Sequence, residues 1–158
     1  MADLLVHAAS AYVAARPLRD HRLRSIVYVG VCLPDLLYKG LLYLGGAPNY
    51  LCEPTHSPLG LLPFCYAISL FFEEAWRKRA FGAMLGGAYL HLLLDLGKNY
   101  VGSGVILWAF PFSMEAVELG WYASEDSIYL MLPALAVIAL VELGTGRLRR
   151  RWPLSRPG

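Results

Sequence analysis

The stretch YLHLLLDLGKNY, Tyr89 to Tyr100, is almost wholly apolar, yet it carries His91, Asp95 and Lys98. On a helix, residues four apart share one face, so His91 and Asp95 point the same way, and Lys98 joins them three residues on. This spacing suits two kinds of chemistry. It can place two ligands on one divalent metal, as the HxxxH pair of zincins does. It can equally form a hydrogen-bonded His–Asp pair that joins two helices, and the spacing alone leaves both open. An ionisable group inside a spanning segment costs about 2.5–3.5 kcal/mol on insertion scales. A chain that keeps several directs them at one another, at a metal or at a water-filled cavity.

Three further residues fit that description. His7 lies in LLVHAASAYVAA, Asp35 in LPDLLYK and His56 in CEPTHSPLG. Each has a plainer reading: His7 as a satisfied core histidine, Asp35 as the partner of Lys39 one turn on, and His56 as a loop histidine beside Pro54. His21, in RDHRLRS, belongs to a solvated basic turn. Cys52 precedes His56 by four residues but ranks low as a ligand, because a thiolate outside the membrane oxidises readily. Three imidazoles and two carboxylates make a nitrogen and oxygen ligand set that suits zinc, with manganese and iron(II) less selectively matched.

The elements that must position these residues are apolar helices. Of the 158 residues 57% are hydrophobic and 16% charged, against a usual charged share of about 25%. The mean hydropathy is +0.46. This is the profile of an integral membrane protein. A net charge of +2 with no basic stripe argues against a nucleic-acid partner. The three cysteines form no CxxC pair, which excludes a cysteine-rich zinc knuckle. The sequence predicts an all-α integral membrane helical bundle of about four spanning helices plus a short partial or re-entrant N-terminal helix. The spans are Ser25 to Gly46, Pro58 to Trp76, Ala80 to Gly97 and Ser127 to Gly144. The first segment, Leu4 to Ala15, is too short to cross a core of about 30 Å. Val105 to Ser113, interrupted by Pro111, reads as an interfacial or re-entrant cap. Gly82 and Gly86 form GxxxG, repeated by Ala83 and Gly87, and predict close helix packing.

Of the 14 Lys and Arg, all but Lys39 and Lys98 follow the first, third and fifth apolar segments. By the positive-inside rule those loops are cytoplasmic. The stretches Ala47 to Ser57 and Tyr100 to Asp126 then face outside. Trp76 and Trp152 suit an inner aromatic belt, and Trp108, Trp121 and Tyr122 an outer one. His91 and Asp95 fall near the outer end of their segment, with His56 and His7 on the same side. Asp35 lies deeper, so it must reach up or its helix must break at Pro34.

The ordered motifs carry a resemblance. His7, Pro34-Asp35, Thr55-His56-Ser57, His91-x-x-x-Asp95 and GVILWAFPF from Gly104 resemble the pattern of the YdjM-like family of bacterial inner-membrane metal-dependent hydrolases. The ligand order is also similar to the front half of zinc-dependent phospholipase C. No histidine follows His91 here, so that superfamily's later ligands have no counterpart. The resemblance implies a single membrane-embedded hydrolase-like domain over residues 1–158, with 144–158 as a basic cytoplasmic tail. It implies one or two divalent ions, zinc foremost, with Asp35, His56, His91 and Asp95 on one ion and His7 and a bridging Asp95 on a second. Asp95 and Lys98 would be the catalytic residues, and Asp3 would orient His7. The substrate would be a phosphoester of a membrane lipid or lipid-linked compound, met at the outer face of the inner membrane. The rival expectations are a structural metal or hydrogen-bond staple, and part of an ion pathway.

Overall fold

Two glycines set the closest helix contact. A Cβ on Gly30 would lie 2.1 Å from the Met84 carbonyl oxygen, and one on Gly87 would lie 2.3 Å from that of Val27. Only a hydrogen side chain lets these backbones approach so closely. In the computed structural model these glycines belong to α2 (His21–Lys39) and α5 (Glu74–Asp95). The structure describes residues 2–99, 106–123 and 126–151, with 2–4, 127–128 and 146–151 described in their backbone alone.

The helices α2 and α5 run parallel. Arg22 stacks on Trp76 near one end, Gly30 meets Gly87 in the middle, and Asp35 approaches His91 near the other. The α1 helix (Ala2–Ala15) runs back along them, and α6 (Ser127–Arg151) lies along α1. The α4 helix (Pro58–Ser69) packs on α5 around Leu61, Cys65, Met84, Ala88 and Leu92, all buried. Between α2 and α4, a π turn (Gly40–Leu44), the short α3 (Asn49–Cys52) and a 3-10 turn (Glu53–His56) fold back onto α2. Ser57 then caps α4, accepting the Gly60 amide at 3.0 Å, the residue type such a position favours. Two short strands, β1 (Lys98–Asn99) and β2 (Tyr122–Ala123), pair in parallel.

The helical class agrees with the sequence, and several boundaries move. The α2 helix runs unbroken through Pro34 and continues to Leu44. His21–Leu44 is the one helix among the described residues long and apolar enough, by length and composition, to cross a membrane. The segment expected from Pro58 to Trp76 ends at Ser69. Its twelve residues rise about 18 Å, short of a hydrocarbon core of about 30 Å. Trp76 belongs to α5, whose 22 residues begin at Glu74. The α6 backbone stays helical to Arg151, so the tail expected from 144 begins as helix.

Of the two small-residue spacings expected to pack, Gly82 with Gly86 and Ala83 with Gly87, the first pair is exposed with nothing within 4 Å of an added Cβ. Packing uses Gly87 instead, one position round the helix. The loop expected between Ala47 and Ser57 is largely helical turn. Trp108 packs against the core rather than standing in an outer belt, whereas Trp121 is exposed. Gly104, Val105 and Trp152, and the side chain of Asp3, lie outside the described residues.

Candidate metal centre

At one end of the bundle, α1, α2, α5 and the 3-10 turn bring together His7, Asp35, His56, His91 and Asp95. His7, His56, His91 and Asp95 are at most 4% exposed, and the Asp35 side chain is half-buried. Asp95 sits in the last turn of α5 and divides its oxygens. Oδ1 lies 3.0 Å from His7 Nε2, and Oδ2 lies 3.2 Å from His91 Nε2. Asp35 Oδ1 lies 3.6 Å from His56 Nε2 and 3.9 Å from His91 Nε2. Its other oxygen accepts from Lys39 Nζ at 2.8 Å. Asp35 therefore pairs with Lys39 through one oxygen, as its plainer reading has it, and turns the other toward His56 and His91.

Three imidazoles line the site, with ring centroids 4.2 Å apart for the tilted pair His7 and His91 and 5.6 Å for the edge-on pair His56 and His91. His56 is steered from behind. Thr55 Oγ1 donates to the Cys52 carbonyl at 2.7 Å and lies 3.3 Å from His56 Nδ1. Tyr38 meets the His56 ring edge-on at 5.3 Å. The THS motif is thus a turn in which Thr55 orients the histidine and Ser57 starts the next helix.

Lys98 is buried and pairs with Asp95 Oδ1. Its backbone is fixed from a distance. The Trp121 amide donates to the Gly97 carbonyl at 2.9 Å, the Leu119 amide to that of Leu96 at 2.8 Å, and Tyr122 Oη to that of Leu94 at 2.9 Å. The segment before α6 therefore anchors the end of α5, a role no local sequence signal announced. Cys52 turns away, toward the Ala47 and Pro48 carbonyls, and His21 is exposed at the start of α2.

Two groups have ligand atoms mutually within 4.8 Å: His7, His91 and Asp95, and Asp35, His56 and His91. Both could hold a metal ion. The donor set fits one, because the buried Nε2 of His91 has no hydrogen bond beyond its 3.2 Å approach to Asp95 Oδ2, with Asp35 Oδ1 at 3.9 Å. Such an atom carries a desolvation cost that a bound cation would offset. His91 appears in both groups, but its Nε2 offers a single lone pair. Asp95 presents one oxygen on the His7 side and one on the His91 side.

Fold and site together define a helical protein with a buried His/Asp cluster and an apolar exterior, on which Leu36, Leu44, Phe71 and Leu140 are exposed. The sequence model of the YdjM inner membrane protein family matches residues 3–155. The chain belongs to that family of inner membrane proteins. Comparison with curated proteins and with solved structures gave no match.

Proposed function

We propose that the chain is a membrane-bound, metal-dependent hydrolase acting on a phosphoester of a lipid or lipid-linked substrate. The reading rests on Asp95, a buried carboxylate offering one oxygen to His7 and the other to His91, with Asp35 and His56 bordering that histidine. Asp35, His56, His91 and Asp95 would hold one ion, and His7 with Asp95 a second. Zinc is the best match to this donor set. A divalent ion bound there would supply a Lewis acid and bring the pKa of its water to about 7. Lys98 would place a positive charge where negative charge gathers on a phosphoryl oxygen. Lys39 would hold Asp35 in its orientation.

The membrane arrangement proposed with this has α2, α5 and α6 as spans, with α1 and α4 as partial helices packed against them. The basic residues Arg22, Arg24, Arg77, Lys78 and Arg79 gather at the end opposite the cluster. Thirteen residues of α2 separate Arg22 from Asp35, a rise of about 20 Å. With that basic end cytoplasmic, the cluster falls in the outer half of the bilayer.

A second reading has its own support. His7, His91 and Lys98 all approach Asp95, and Asp35 approaches His56 and His91. That network ties α1, α2 and α5 together as a staple without catalysis. Elemental analysis and phospholipid hydrolysis, measured on the wild type and on His91→Ala and Asp95→Ala, separate the two. The hydrolase predicts stoichiometric zinc and phosphoester turnover in the wild type, with turnover lost even in a variant that keeps its fold. The staple predicts joint loss of metal and thermal stability, with no phosphoester turned over by any form.

A further inference from the structure

At the end of the bundle away from the His/Asp cluster, a cavity of about 610 Å³ opens between α1, α2 and α6. Its polar walls are Tyr12, Arg16, Arg24, Tyr28, Glu142 and Thr145. Arg16 is committed to this wall. It donates to Tyr12 Oη at 2.8 Å and Thr145 Oγ1 at 2.6 Å, and it pairs with Glu142. Arg24 donates to the Leu18 carbonyl at 2.6 Å and the Arg16 carbonyl at 3.4 Å. Those bonds leave other guanidinium N–H groups, and among the described residues no carboxylate pairs with Arg24. The cavity therefore sets two guanidinium groups against one carboxylate.

Tyr12 and Tyr28 also line a second space of about 330 Å³. Its remaining wall is wholly apolar, with Leu5 and Ala8 from α1 and Met131, Ala134, Leu135 and Ile138 from α6. The two spaces thus meet at Tyr12 and Tyr28, the first polar and rich in guanidinium groups and the second lined by hydrocarbon. In a membrane protein, an apolar groove of this kind loses dispersion contacts unless something fills it. Basic pockets between helices attract anionic lipid headgroups.

We propose that α1, α2 and α6 hold one anionic phospholipid, its phosphate at Arg24 and an acyl chain in the groove beneath Tyr12 and Tyr28. Eleven residues of α2 separate Arg24 from Asp35, about 16 Å of rise. The headgroup is therefore remote from the His/Asp cluster. The lipid is a resident component that seats α6 against α1, not a substrate, and the inference does not depend on hydrolase activity.

Native mass spectrometry of the full chain in detergent tests this, with phosphatidylglycerol and phosphatidylcholine of equal chain length as probes. One phosphatidylglycerol per chain should be retained, at least about fivefold more than phosphatidylcholine, the order of preference one basic residue confers. Arg24→Gln should remove the preference and Arg24→Lys should keep it. Ala134→Phe, which fills the groove, should lower retention of both lipids. Equal retention of the two lipids by the wild type would overturn the proposal, as would undiminished phosphatidylglycerol retention in Arg24→Gln. Unchanged retention in Ala134→Phe would overturn the placing of the acyl chain.

Discussion

Asp95 faces His7, His91 and Lys98 from a buried position, so its charge is the one the site can least lose. Removing one partner from a buried charged network costs about 3–5 kcal/mol. Asp95→Asn should lower stability by that order, read as the melting temperature in detergent. With Lys98→Met, a double-mutant cycle should give a coupling of about 1 kcal/mol or more. Strictly additive effects would show that the two side chains do not act together. Thr55 acts one step back, through His56. Thr55→Val keeps the shape but deletes the hydroxyl that bonds the Cys52 carbonyl and borders the ring. Metal affinity, measured by competition with a chelator, should fall about tenfold, the lower range for such supporting groups. Unaltered affinity would reduce Thr55 to a turn-former.

At the scale of elements, the contact between α2 and α5 depends on glycine at two positions and not at two others. Gly87→Ala drives a methyl into the Val27 carbonyl. Overpacking of this kind costs about 1–3 kcal/mol. Gly82→Ala adds a methyl where nothing lies within 4 Å, and it should stay within about 0.5 kcal/mol of the wild type. Thermal unfolding of both variants in one detergent decides the matter, and equal effects would contradict the observed helix rotation. The GxxxG spacing was legible in the sequence, but which small face is buried was not. Gly82, Gly86, Ala83 and Gly87 are near neighbours on one helix, and only the position of α2 chooses among them. Likewise Asp35 needed no break at Pro34, because the turn bearing His56 folds back to meet it.

For the whole molecule, the separation of charge from the cluster makes a forecast about orientation. A cysteine replacing Lys78 should react with an impermeant maleimide only from the cytoplasmic side. One replacing Tyr50, which is 67% exposed in the turn before His56, should react from outside. The native cysteines are buried or half-buried, which keeps the background low. Labelling of position 78 from outside in intact cells would overturn the proposed arrangement. The exposed apolar residues of α6, among them Leu132, Leu135 and Leu140, suit a lipid-facing surface, since soluble chains rarely expose a contiguous face of this kind.

The sequence by itself determined the helical class, the apolar character, the sorting of basic residues and the set of side chains able to bind a metal. These follow from composition and from spacings of three or four residues, which one helix expresses without reference to any other. The tertiary structure decided which oxygen of Asp95 faces which histidine, that Asp35 turns its other oxygen to His56 and His91, and that the segment near Tyr122 anchors Lys98. It also shortened the third apolar segment and chose Gly87 from the candidate small residues to meet Gly30. Those outcomes depend on how helices are rotated and offset against one another. That arrangement is set by the joint packing of side chains distant in sequence, so no local period records it.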